Sequence, residues 1–230
     1  MSRPASAAGQ PGRQRQPNRR GKGEQLREDL IGAAMALIEA KQGEQLTLRG
    51  IARHVGIAAT SVYLHYPDVD HLLAAVVERG FARLTEATSE AAASLTDPAE
   101  ELRARCRAYC HFALEHADLY LIMFQADLPS AMIGDDPAAT PGRRSFENLV
   151  KVVRRCIEDG LSPPHDDPFR LASLIWTAKH GIVLARISRP TFPWTPIDAL
   201  VNEMLNRMMA FNNQHPRLGR RTPTRRTLRP

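Results

Sequence analysis

A chain of 230 residues with 43% hydrophobic side chains has material for one large or two modest domains, each with a core of its own. Its unbroken apolar stretches reach only six residues, as in 33–38 and 72–77, against the roughly 18 that a membrane span requires, which excludes a transmembrane protein. The net charge of +6 is uneven. Twelve of the 31 basic residues sit in 1–23 and 215–230, which contain no acid, so the body between them holds 19 basic against 25 acidic groups.

The first stretch, 1–23, carries Arg3, Arg13, Arg15, Arg19, Arg20 and Lys22 among Pro, Gly and Gln residues. Such a composition buries too little apolar surface to offset the entropy of ordering, and it reads as a disordered basic arm. The stretch 215–230, with Arg217, Arg220, Arg221, Arg225, Arg226 and Arg229, reads as a matching tail. Two roles stay open for both ends: solvation, or attraction to a polyanion. No apolar run follows the basic residues as it would in a secretion signal, and three cysteines cannot build a disulfide framework. A cytoplasmic location is expected.

Proline costs a helix interior roughly 3 kcal/mol, so its spacing marks helix edges. Blocks free of proline run over 68–97, 99–128, 142–162, 169–189 and 197–215, each long enough for a helix. Apolar residues recur three and four apart, as in Leu26, Leu30, Ala33, Ala34, Leu37 and Ile38, and again in Leu171, Leu174, Ile175, Ala178, Ile182 and Ala185. Strand-like alternation is absent. The expected fold class is all-α.

Before Pro67, Gly43 and Gly56 divide the chain into three shorter helices. Thr47 suits the cap of the second, whose Leu48, Ile51, Ala52 and Val55 share one face. Val55-Gly56-Ile57-Ala58 makes a tight turn, and a third helix follows over about 59–65 with Val62 turned inward. This is the spacing of a helix-turn-helix, which lays its second helix in the major groove of DNA; an ordinary three-helix cluster satisfies the same pattern.

The run from Leu46 to Tyr66, LTLRGIARHVGIAATSVYLHY, followed by Leu72-Leu73, resembles the amino-terminal DNA-binding domain of TetR-type transcriptional regulators. Trp176, His180 and Gly181 resemble the Trp-x-x-x-His-Gly signature of one class of TetR-type carboxy-terminal domains. The resemblance implies a three-helix DNA-binding domain over 24–84, joined by a long helix to a larger helical domain over 97–214 for effector binding and dimerisation. It departs from the family pattern in two places. Ala58 stands where a capping serine is usual, and Val69 where a phosphate-holding lysine is usual. Asp68 and Asp70 suit the positive start of the fourth helix instead, and the basic arm is expected to supply some of the missing attraction to DNA.

Site expectations combine this resemblance with residue chemistry. Thr47 is placed to hold a phosphate at the start of the second helix, and Arg49 to reach the backbone or a groove edge. Ala59, Thr60 and Ser61 are small enough to approach base edges, while Tyr63 and His65 resemble the family's phosphate-contacting pair. Tyr66 is expected in the core. In the second domain Tyr109, Phe112, Met123, Phe124, Trp176 and His180 are candidate lining for an effector cavity, although such side chains also serve as plain core. His180, on an otherwise apolar helix, needs a hydrogen-bond partner. Helices over 169–189 and 197–213 are the expected dimer seam, with Gly181 permitting close approach and Ile197, Leu200, Val201, Met204, Leu205 and Met208 forming an apolar strip.

Enzymatic readings find little support. Gly21-Lys22-Gly23 follows no strand, so no dinucleotide loop is expected. Cys106 and Cys110 share a helical face, but no CxxC pair or paired histidines at zinc spacing accompany them, and neither a metal nor a cofactor is expected. Arg103, Arg105 and Arg107 would activate Cys106 only if it were exposed. His165-Asp166-Asp167 reads as a loop and helix cap. The expected function is a sequence-specific repressor, a homodimer on double-stranded DNA, released by an apolar small molecule. Two alternatives remain: a non-specific DNA-coating protein, and a helical ligand-binding protein or enzyme with a vestigial head.

Overall fold

The computed structural model describes residues 20–126, 141–162 and 167–209. Every regular element among them is a helix, as the proline spacing predicts. The expected arm and tail lie outside the described residues, apart from 20–23, which form the first turn of α1 (Arg20–Glu39).

After a single 3-10 turn (Gly43–Gln45) comes α2 (Leu48–Val55), begun as its sequence predicts: Thr47 is extended, and its Oγ1 accepts a hydrogen bond from the Gly50 amide at 3.0 Å. Gly50 has no room to be anything else. A Cβ there would stand 2.1 Å from the Gln45 carbonyl oxygen. The helix ends at Gly56, left-handed at φ 77°, and the Ile57 amide donates back to the Ala52 carbonyl at 2.9 Å. The third helix, α3 (Ala59–Tyr63), is shorter than expected, because the His65 and Tyr66 amides both turn back to the Val62 carbonyl. Ala58 offers it no side-chain cap.

Helix α4 (Val69–Glu90) is capped by Asp68, which accepts from the His71 amide at 2.9 Å and faces His71 Nδ1 at 2.7 Å. Both groups hold the Asp68 carboxyl below the usual range. The block 99–128 yields two helices rather than one, α5 (Pro98–Glu115) and α6 (Ala117–Gln125), with His116 at the bend. No proline or glycine marks this corner. His116 Nδ1 lies 3.0 Å from Glu39 Oε1 at the end of α1, so a distant helix fixes it. The remaining helices are α7 (Pro141–Glu158), α8 (Pro168–Ser188) and α9 (Ile197–Met209). Asp167 caps α8 through the Phe169 amide at 3.1 Å, as expected of the 165–167 run, whose first two residues lie outside the described set.

One continuous core runs from Leu30 of α1 to Met209 of α9. Helix α4 belongs to both halves: it packs on α1, α5, α6 and α7. Helix α6 also packs on α1, which brings the carboxy-terminal half against the first helix of the amino-terminal half. Glu101, buried on α5, is satisfied by Arg105 at 2.8 Å and by Arg155 of α7 at 2.5 Å.

Candidate functional site

The helix-turn-helix surface is built by anchoring α3 on one side and leaving the other free. Val62 is fully buried and Tyr66 nearly so, whereas Tyr63 is 50% and Leu64 84% exposed. Thr47, Arg49 and Thr60 are exposed; Ala59, Ser61 and His65 are half-buried. Because Thr47 Oγ1 already accepts from Gly50, its own hydroxyl proton is free to donate outward. His65 lies beside the start of α1, 3.8 Å from where a Cβ on Gly23 would be. Sequence reasoning passed over Leu64, Arg53 and His54, all exposed at this end; the place of Leu64 between Tyr63 and His65 was the available signal.

A second feature lies in the carboxy-terminal half, a cavity of about 700 Å³ walled by α4 to α8. Tyr109, Phe124 and Trp176 line it, joined by Phe81, Leu84, Phe146, Leu149 and Phe169. The rings interlock: Phe81 meets Phe124 edge-on at 5.2 Å, and Phe146 meets Phe169 at 5.3 Å. Arg143, Lys151 and Arg154 stand exposed on its α7 side. Three of the residues grouped with this lining from sequence are placed elsewhere. Met123 lies where α6 crosses α4, its Sδ 2.7 Å from where a Cβ on Gly80 would be. Phe112 packs on the His116 ring at 4.9 Å and borders a separate, charged concavity of about 510 Å³.

His180 is the third, and it is turned to α6 instead. Its Nδ1 is 2.5 Å from the Tyr120 hydroxyl, which is 2.7 Å from the Tyr109 hydroxyl, and Trp176 stacks on the imidazole at 5.2 Å. Burial, with the neighbouring Lys179 charge, pushes the His180 pKa down, and burial pushes both phenols up. With imidazole and phenols neutral, Tyr109, Tyr120 and His180 form one relay of hydrogen bonds whose direction follows the His180 tautomer: Tyr120 donates to an unprotonated Nδ1, or Nδ1–H donates to the Tyr120 oxygen. The chain ties the cavity wall on α5 to α6 and α8.

All three cysteines are buried. Burial raises the Cys106 thiol above its ordinary value and pushes Cys110 and Cys156 up to about 12, so the flanking arginines do not activate Cys106. Among the described residues, no group of three or more His, Cys, Asp or Glu side chains is placed to hold a metal ion. None of the described helices is long and apolar enough to cross a membrane.

On the outer side of α8, Leu174 is 53% exposed, and a Cβ on Gly181 would meet nothing within 4 Å. Ala178, Ile182 and Ala185 continue that stripe, half-buried. Of the apolar strip on α9, Val201 and Leu205 are fully buried within the chain, while Ile197, Leu200, Met204 and Met208 remain partly open.

Residues 30–76 match the pattern of the bacterial regulatory proteins of the tetR family, and 102–211 match that of a tetracyclin repressor-like carboxy-terminal domain. The chain is similar to the nucleoid occlusion factor SlmA of Marinobacter nauticus, 24% identical over 135 residues that cover 58% of this chain and 67% of that protein. It is also similar to an HTH-type transcriptional repressor of Mycobacterium tuberculosis, 26% identical over 175 residues. That match covers 74% of this chain and 61% of the mycobacterial protein, less than two thirds of its length. Among solved structures, a protein of unknown function from Rhodococcus sp. RHA1 superimposes with a TM-score of 0.69 at 26% identity, covering 80% of this chain and 94% of that one.

Proposed function

The chain belongs to the tetR family of bacterial regulatory proteins and is a DNA-binding transcriptional regulator; we propose that it represses, as a homodimer, until a small molecule with an apolar body fills the cavity among α4 to α8. The observation that carries this reading is the double duty of α6. Its Phe124 lines the cavity, while the corner that begins it, His116 and Asp118, reaches Glu39 at 3.0 Å and Lys41 at 4.0 Å where α1 ends. A ligand that displaces Phe124 moves α6 against α1, and α1 carries α2 and α3 with it. A coupling of about 1–3 kcal/mol suffices to change DNA affinity roughly 5- to 150-fold.

In this reading Thr47, Arg49, Tyr63 and His65 hold phosphates, and Ala59, Thr60 and Ser61 meet base edges. One short α3 buries too little surface to select a site. Two of them, about 34 Å apart along one face of the duplex, do so. The open stripe of Leu174, Ala178, Gly181, Ile182 and Ala185, with Leu200, Met204 and Met208 of α9, is the surface on which two copies pair. The basic ends at 1–23 and 215–230 add phosphate attraction without sequence choice. Action on chromosomal DNA places the protein in the cytoplasm.

The test is a nuclease footprint on DNA flanking the protein's own coding region, repeated with lipophilic ligands. A symmetric two-lobed protection that fades with a bound ligand is the expected outcome. A monomer indifferent to base sequence, whose binding vanishes with the two basic ends yet ignores Thr60→Ala and Ser61→Ala, refutes the reading in favour of non-specific coating.

A further inference from the structure

Lys179 stands on the α8 wall of the cavity and is only 6% exposed. Its ammonium lies 3.9 Å above the Tyr109 ring, and its polarisable neighbours are the Cys106 and Cys110 thiols. Among the described residues no carboxylate pairs with it. The contrast is Glu101, the other buried charged side chain among the described residues, which is held by two arginines. A ring face returns only part of the hydration that a buried cation gives up. Burial accordingly lowers the affinity of the Lys179 amine for its proton, against the opposing pull of the two thiols. Around it the wall is mostly apolar, with Phe81, Leu84, Phe124, Phe146 and Trp176.

We propose that the effector is an amphiphilic acid whose carboxylate is held by Lys179 beside the Tyr109 ring, while its hydrocarbon or aromatic body fills the cavity. This rests on the reading of the cavity as the effector site. The missing partner of a buried cation is an anion, and an apolar body carries one into a mostly apolar cavity. The exposed cations Arg143, Lys151 and Arg154 are different in kind. Water and salt screen Lys151 and Arg154, and Arg143 is engaged by Glu147 at 2.8 Å, so they draw anions toward the cavity without selecting an acid once it is inside.

The experiment is calorimetric titration of the full-length chain with two matched pairs: decanoic acid and 1-decanol, then 6-phenylhexanoic acid and 6-phenyl-1-hexanol. In the wild type each acid is expected to bind at least about tenfold tighter than its alcohol. Lys179→Met brings the acid-to-alcohol ratio to about one. Methionine keeps the apolar stem and removes the buried charge, so this variant melts no lower than the wild type; the preference of the wild type for acid over alcohol stands as evidence even if the variant fails to fold. Equal binding of acid and alcohol overturns the proposal and leaves the cavity an effector site. So does a ratio that survives Lys179→Met but falls in the Lys151→Gln/Arg154→Gln double variant. Saturable binding by none of the four overturns the effector-site reading as well.

Discussion

Tyr120 of α6 and His180 of α8 share a hydrogen bond of 2.5 Å, and through it the helix that touches α1 is bound to the helix that forms the outer face of the carboxy-terminal half. The bond also decides which way His180 faces. An imidazole that resembles a ligand-site histidine is spent inside the fold, and the neighbouring Lys179 is the buried charged group on the cavity wall.

Removing the Tyr120 hydroxyl breaks both links of its chain. Tyr120→Phe takes a hydrogen-bond partner from both the Tyr109 hydroxyl and His180 Nδ1, and urea denaturation is expected to show a loss of about 1–3 kcal/mol. The same site carries a pH dependence. The folded pKa of His180 is below its ordinary 6.5, so from about pH 6.5 downward the unfolded chain takes a proton that the folded one refuses. Stability is therefore highest above that pH and declines as pH falls toward the folded value. A pH-stability slope unchanged by His180→Gln in that window contradicts this assignment.

At the start of α2 two neighbouring residues have unequal costs. Thr47→Ala removes the cap to Gly50 and is expected to cost about 1 kcal/mol. Gly50→Ala forces a methyl to within 2.1 Å of the Gln45 carbonyl oxygen, and the backbone has to move; a loss on the order of 2–3 kcal/mol follows. Thermal melts, with hydrogen exchange at the α2 amides, rank the two. Gly50→Ala as mild as Thr47→Ala refutes the steric argument.

Contacts to bases and to phosphates separate under selection and salt. Thr60→Ala and Ser61→Ala are expected to alter which sequences are enriched from a random pool, at about 1–3 kcal/mol per lost base contact. Tyr63→Phe weakens all sequences alike and leaves the salt dependence unchanged, because a neutral phenol releases no counterion. Arg49→Gln weakens all alike and lowers the slope of log affinity against log salt by about 0.9. If Tyr63→Phe reorders the selected sequences, its proposed phosphate role is wrong.

The thiols offer a simple chemical check. With Cys106, Cys110 and Cys156 buried and their pKa values raised, iodoacetamide at pH 8 is expected to label the folded chain very slowly and all three sites promptly in denaturing urea. Rapid labelling of Cys106 in the native protein, followed by mass spectrometry, would reopen a redox role for it.

What the sequence determines here is whatever acts within a few residues along the chain. Proline edges, the Thr47, Asp68 and Asp167 caps and the left-handed Gly56 act between a residue and its second to fourth neighbour, and the helix boundaries follow them closely. The division of α5 from α6 is of another kind. Nothing local marks His116; its bend is held by Glu39 from α1, and no periodicity reports a partner that far away. The cavity is harder still to read. Tyr109 and Phe112 stand on the same helix as alternating apolar rings, and a void is made by the helices that fail to fill it, so only packing shows that the first borders it and the second does not. Lys179 next to His180 completes the reversal: a lysine reads as solvated and a histidine as functional, until the relative rotation of α6 and α8 hands the histidine to Tyr120 and leaves the lysine buried without a counter-charge.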